Sequence, residues 1–213
     1  MDDILTRIAA SVERGEDDLA HGLVTEAVAQ GRPPGEILDA GLVAGMNVVG
    51  EQFRQREIFL PDVLLAARAM YAGLDVLKPL LAREGVPRAG TVVIGTVRGD
   101  LHDIGKNLVG IMLRGAGFEV LDLGNDVAPE RFVDEAVAGG ASVIGMSALL
   151  TTTMSGMKDV VDLIRTRGLQ GRLRTIVGGA PVSEAFANEI GADAYGYDAT
   201  NAVERVRMLV AGD

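Results

Sequence analysis

The sequence predicts two domains, a helical bundle followed by an α/β domain with a five-stranded parallel sheet, and two changes of pattern carry that reading. From residue 2 to residue 84 apolar residues recur at three- and four-residue spacing with few β-branched runs, as amphipathic helices require. From Thr91 onward short β-rich runs alternate with helical segments, the pattern of a parallel sheet covered on both faces.

In the first half, breaks at Gly15-Glu16 and Gly31-Arg32-Pro33-Pro34 separate the helices. Gly35 to Phe53 carries Ile37, Leu38, Leu42, Val43, Met46 and Val49; Pro61 to Leu81 carries Val63, Leu64, Ala67, Met70, Leu74 and Leu77. Both present apolar stripes, so a small bundle of the four-helix type is expected over residues 1–86. The polar, Gly/Pro-bearing stretch Ala82 to Gly90 reads as an interdomain linker and hinge, and the second domain as residues 90–213. Its expected strands are Thr91–Thr96, Glu119–Leu123, Ser142–Ser147, Thr175–Gly178 and Ala192–Tyr195. Ligands of such sheets bind at the carboxyl ends of the strands, which singles out the loops Val97–Asp103, Ala148–Thr153 and Gly178–Val182.

Composition narrows the chemistry. The chain of 213 residues is 48% hydrophobic with mixed charges, as a folded globular protein requires. It has no cysteine, which excludes disulfides, thiolate zinc sites, iron–sulfur clusters and a cysteine nucleophile; any metal must be held by nitrogen or oxygen. A net charge of −10 disfavours nucleic acid and anionic lipid as partners. With no basic leader after Met1 and no apolar run long enough to span a bilayer, a cytoplasmic location without membrane contact is expected.

The first of the three loops reads Gly99-Asp100-Leu101-His102-Asp103-Ile104-Gly105-Lys106-Asn107 and holds the only histidine of the second domain. Imidazole is the commonest neutral metal ligand, and a carboxylate on its other nitrogen fixes the tautomer, a part open to Asp100. The residues leave a second reading open, in which His102 is an exposed loop residue and Asp100 or Asp103 caps the following helix. A phosphate-binding loop is rejected: the glycine upstream of Gly105-Lys106 is misplaced by one residue, and Asn107 replaces the hydroxyl residue.

Asp100-x-His102-x-x-Gly105 resembles the cobalamin-binding signature of methionine synthase, methylmalonyl-CoA mutase and related corrinoid proteins. Ser147-Ala148-Leu149 and Gly178-Gly179 resemble that family's second and third signatures, in the right order and on the right loops. The resemblance implies a Rossmann-like (flavodoxin-like) cobalamin-binding domain with His102 as the axial ligand of cobalt, hydrogen-bonded to Asp100 and then to the hydroxyl of Thr153. Gly99, Leu101, Asp103, Ile104 and Gly105 complete the loop beneath the cofactor, Ser147 and Thr151 line the pocket for its displaced nucleotide, and Leu149 is a further cofactor contact. Gly178 and Gly179 would let the backbone approach that nucleotide closely, although a Gly-Gly pair alone equally suits a tight strand-to-helix turn.

Gly45 to Phe53 and Ile58-Phe59-Leu60-Pro61 resemble the helical cap that precedes methyl-carrying cobalamin domains, which implies that Phe53, Leu60 and Val63 lie over the upper corrin face, with Met46 a further cofactor contact; without the cofactor they read as ordinary bundle core. The resemblance, over nearly the whole chain, is to the stand-alone corrinoid proteins of methylamine, methanol and related methyltransferase systems. It implies a carrier with no catalytic residue of its own. Such a carrier shuttles a methyl group as methyl-cobalt(III) from a substrate-specific methyltransferase to a second, acceptor methyltransferase, with an ATP-dependent reductive activator as a further partner it allows. A cobalamin sensor or storage module, or the small subunit of an adenosylcobalamin mutase, are the alternatives.

Overall fold

A computed structural model of the chain describes residues 3–84 and 89–212, which fall into two compact units taken here in turn. Of the predicted linker, residues 82–90, residues 85–88 lie outside the described residues.

The N-terminal unit contains α1 (Ile4–Glu13), α2 (Asp17–Ala29), α3 (Pro34–Glu36), a π-helical stretch (Ile37–Val43), α4 (Ala44–Arg54) and α5 (Leu60–Glu84). Backbone angles stay helical through both junctions of the π stretch, so residues 34–54 form one continuous rod. The described residues thus make four rods, as a four-helix bundle requires. The breaks between them fall where the sequence places them, at Gly15-Glu16 and at Gly31 to Pro33. Ile8, Val12, Val24, Ile37, Leu42, Met70 and Leu77 are fully buried. The third rod can press against α1 because position 45 is glycine: a Cβ there would lie 2.5 Å from the Ala9 carbonyl oxygen.

The C-terminal unit alternates β1 (Thr91–Thr96), α6 (Ile104–Gly115), β2 (Glu119–Asp122), α7 (Pro129–Ala138), β3 (Val143–Ser147), α8 (Ser155–Thr166), β4 (Arg174–Gly178), α9 (Glu184–Ile190), β5 (Ala194–Gly196) and α10 (Ala199–Ala211). All strands are parallel, in the order β2-β1-β3-β4-β5, the Rossmann-like, flavodoxin-like arrangement. Buried Val93, Ile144, Val177, Phe132 and Met157 belong to its core. The fifth strand starts two residues later than its sequence pattern suggests, because the Asp193 carboxylate accepts both the N–H (2.8 Å) and the hydroxyl (3.0 Å) of Thr175, replacing ladder pairing there.

The order in which strands are added reverses between β1 and β3, which opens a crevice at their carboxyl ends. Register aligns Thr96 with Ser147, Ser147 with Gly178, and Gly178 with Gly196, so two of the three sequence signatures begin on one row across the sheet. The third begins on the loop that leaves β1.

Candidate cofactor-binding site

The loop after β1 turns at Gly99 (φ +81°) and carries Asp100 into the crevice, where its side chain has no solvent exposure. Burial of a carboxylate is costly unless its oxygens are met by donors. Here one oxygen accepts the Nδ1–H of His102 (2.7 Å) and the His102 backbone N–H (3.1 Å). The other accepts the N–H groups of Leu149 (2.7 Å) and Leu150 (3.1 Å) and the hydroxyl of Thr153 (2.9 Å), all from the loop after β3. Burial pushes the Asp100 carboxyl up, but the bonds from Leu149, His102 and Thr153 outweigh it and hold the group well below the usual carboxylate range. Asp100 is therefore an anion that ties two loops together, and it does not cap α6.

His102 is the solvent-facing member of this cluster, its side chain 52% exposed. Because an ionised carboxylate can only accept, Nδ1 carries a proton, and in the neutral imidazole Nε2 is therefore the nitrogen with the lone pair. Nε2 has no protein partner among the described residues, and the His102 carbonyl is held by the hydroxyl of Thr96 (2.9 Å). The arrangement is a carboxylate–imidazole unit with one outward nitrogen donor, the form that ligates metals. No group of three or more His, Asp or Glu side chains gathers among the described residues, so the imidazole stands as a single donor.

Around it lie apolar side chains that the protein leaves open to solvent: Leu101 (70% exposed), Ile104 (75%), Leu149 and Leu150. Gly105 is exposed on the first turn of α6, which begins where the Asp103 backbone carbonyl accepts the N–H of Asn107 (2.7 Å). Ser147, half-buried, ends β3, and Thr151 is exposed on the loop beyond it. In the helical unit Met46 and Val63 are buried, whereas Phe53 and Leu60 keep part of their surface.

Gly178 and Gly179 have a reason internal to the fold. A Cβ on Gly179 (φ +125°) would stand 1.9 Å from the Ala148 carbonyl oxygen, and one on Gly178 would stand 2.9 Å from that of Gly196. The pair is what lets the ends of β3, β4 and β5 close together. The sequence reading overlooked Leu150, whose contribution is a backbone N–H that no residue type announces, and the buried cation Lys106, which pairs with Asp122 at the end of β2 (2.5 Å). A lysine on the first turn after a ligand loop, with an aspartate closing the neighbouring strand, was the available signal.

Fold and site together define a class: an α/β binding domain that presents one carboxylate-backed imidazole at the reversal point of its sheet, preceded by a helical bundle. Residues 90–207 match a family model described as a B12 binding domain, and residues 4–78 match a second model with the same description. The chain is 42% identical over 211 residues to trimethylamine corrinoid protein 2 of Methanosarcina acetivorans, covering 98% of this chain and 97% of that one. It is 43% identical over 212 residues to the dimethylamine corrinoid protein of Methanosarcina barkeri, covering 99% of each. Among solved structures, the methanol:cobalamin methyltransferase complex of Methanosarcina barkeri superposes with a TM-score of 0.89 at 32% identity, over all of this chain and 81% of that one. A cobalamin-binding protein of Desulfitobacterium hafniense superposes with a TM-score of 0.79 at 32% identity, over 98% of this chain and 99% of that one.

The chain belongs to the B12-binding family and, within it, to the corrinoid proteins. Its cofactor is a corrinoid of the cobalamin type. The residues present fit such a group, since the macrocycle brings its own equatorial nitrogens and needs from the protein one axial donor and an apolar seat. No helix among the described residues is long and apolar enough to cross a membrane.

Proposed function

We propose that the chain is a methyl carrier in which His102 Nε2 is the lower axial ligand of cobalt. The observation that carries the proposal is the His102–Asp100 unit, with Nδ1 fixed on a buried anion and Nε2 facing out. When bound, the corrinoid supplies a cobalt centre that accepts a methyl group from one protein and yields it to another. The chain's own residues bind, orient and shield. Asp100 keeps the Nδ1 proton and so raises the donor strength of Nε2, while Thr153, Leu149 and Leu150 keep Asp100 ionised.

In this reading Leu101, Ile104 and Leu149 seat the macrocycle, with Gly99, Asp103 and Gly105 shaping the loop, and Ser147, Thr151, Gly178 and Gly179 receive the nucleotide tail. Phe53, Leu60, Met46 and Val63 are the helical unit's contribution, supported by its own match to a B12-binding model. Of these, Phe53 and Leu60 have surface to offer. The domain boundary at residues 86–90 belongs to the same proposal.

Methylamines are the donor class that the names of the relatives support, delivered by a substrate-specific methyltransferase and passed to a second methyltransferase. The match to a complex that contains a methyltransferase supports partners of that kind. The test is to load the purified chain with cobalamin, reduce it, and add trimethylamine or dimethylamine with the corresponding methyltransferase. Appearance of the methylcobalamin spectrum is expected with the wild type and not with His102→Ala, which should still fold because the side chain is half exposed. Equal methylation of both proteins, or purification with bound adenosylcobalamin and no methylation of either, would overturn the proposal.

A further inference from the structure

The loop after β2 grips the ligand loop at three consecutive residues. Asp126 Oδ1 accepts the N–H of Gly99 at 2.7 Å, the Asp126 N–H donates to the Asp100 carbonyl at 3.1 Å, and Asn125 Nδ2 donates to the Leu101 carbonyl at 3.3 Å. On the other side of His102, the buried ammonium of Lys106 meets both oxygens of Asp122 (2.5 and 2.7 Å) and Asn107 Oδ1 (2.7 Å). The end of β2 thus holds the chain before and after the histidine and leaves its imidazole untouched.

Asp126 reaches Gly99 from a left-handed backbone (φ +51°), one of two such non-glycine positions among the described residues. Aspartate tolerates that region better than most residues, and a conformation of this kind persists where its surroundings over-determine it. Sheet pairing does not require the side-chain bond, because Val127 itself bridges to Val97.

We infer that Asp126 is a positioning residue for the axial histidine. It pins the segment Gly99 to Leu101, through which the height and direction of the His102 side chain are set, while the Lys106–Asp122 pair anchors the opposite end. A metal ligand must be held within a few tenths of an ångström of its productive position, and a loop meets that demand only if both flanks are fixed. The inference rests on the reading of His102 as cobalt ligand.

Two variants test it. Asp126→Gly removes the acceptor and accepts a left-handed backbone without strain; Asp126→Asn keeps an acceptor oxygen and tolerates the same backbone. Each is titrated with aquocobalamin, whose absorption reports binding; the complexes are then reduced chemically to cobalt(II), whose electron paramagnetic resonance reports imidazole ligation, and thermal unfolding is followed in parallel. Asp126→Gly should unfold close to the wild-type temperature, yet bind about ten-fold more weakly with a smaller imidazole-ligated fraction, and Asp126→Asn should restore both. Wild-type binding and ligation by Asp126→Gly would overturn the inference, as would equal losses in both variants. If the wild type itself shows no imidazole ligation, the reading of His102 fails instead, and positioning is judged in the cofactor-free protein. There the Gly99 amide and the His102 ring resonances should shift in Asp126→Gly with β4 and β5 unmoved; an unmoved His102 ring would overturn it.

Discussion

Asp100 accepts a 2.7 Å hydrogen bond from the backbone N–H of Leu149, 49 residues further along the chain, and so closes the crevice between β1 and β3 from within. The carboxylate that orients the histidine is the same one that joins the two loops, which couples the stability of this end of the sheet to the geometry of its ligand.

Asp100→Asn should therefore cost about 3 kcal/mol in urea unfolding, because an amide has one oxygen for two sets of donors and must turn its NH2 toward one of them. The pH dependence follows in sign. Asp100 lies below its ordinary value of 3.8, so its contribution is present above about pH 4 and is lost as pH falls through the folded value. The gap between wild type and variant should be constant from neutral pH to about pH 5 and narrow below it. A gap that widens on acidification would contradict this account.

Gly179→Ala and Gly99→Ala should differ sharply. At Gly179 the new Cβ meets backbone, so a loss of ~3 kcal/mol or more, or failure to fold, is expected. At Gly99 the nearest atom is Thr153 Cγ2 at 3.5 Å, leaving only the left-handed backbone cost of about 1–2 kcal/mol. Thermal unfolding of the two variants checks the order.

Much of this was legible in the sequence because it is periodic or punctuated. The helix breaks at Gly15 and Gly31 and the first strand, Thr91–Thr96, stand where the pattern puts them. What escaped is set by tertiary approach. The Gly178-Gly179 pair suggests a ligand by its motif, yet its steric reason is the carbonyls of Ala148 and Gly196, which no local pattern reveals. Asn125 and Asp126 read as ordinary turn residues until the parallel order β2-β1 sets them beside Gly99. The π-helical stretch Ile37–Val43 leaves no mark in composition, since its apolar stripe is that of an α-helix.

Arg56→Gly should stabilise the helical unit. Arg56 (φ +62°) follows α4 in the left-handed position of a Schellman cap, with its N–H on the Phe53 carbonyl (3.0 Å) and that of Glu57 on Gln52 (2.9 Å). Glycine removes the Cβ penalty and returns part of the gain as unfolded-chain entropy, so a net ~0.5–1 kcal/mol is expected. For a chain of this size that corresponds to roughly 1–4 °C in Tm. A lowered Tm would show that the arginine side chain contributes more than its backbone costs.

The central claim is that the outward nitrogen of His102 is the cobalt ligand. It is tested most directly by loading the protein, grown with 15N-labelled histidine, with unlabelled cobalamin, reducing it to cobalt(II), and recording the electron paramagnetic resonance spectrum. An axial histidine nitrogen predicts that the superhyperfine triplets of the unlabelled protein become doublets, and that His102→Ala loses them. Triplets that persist in the labelled protein would mean that the cofactor's own nucleotide base still holds the cobalt, and would contradict the account.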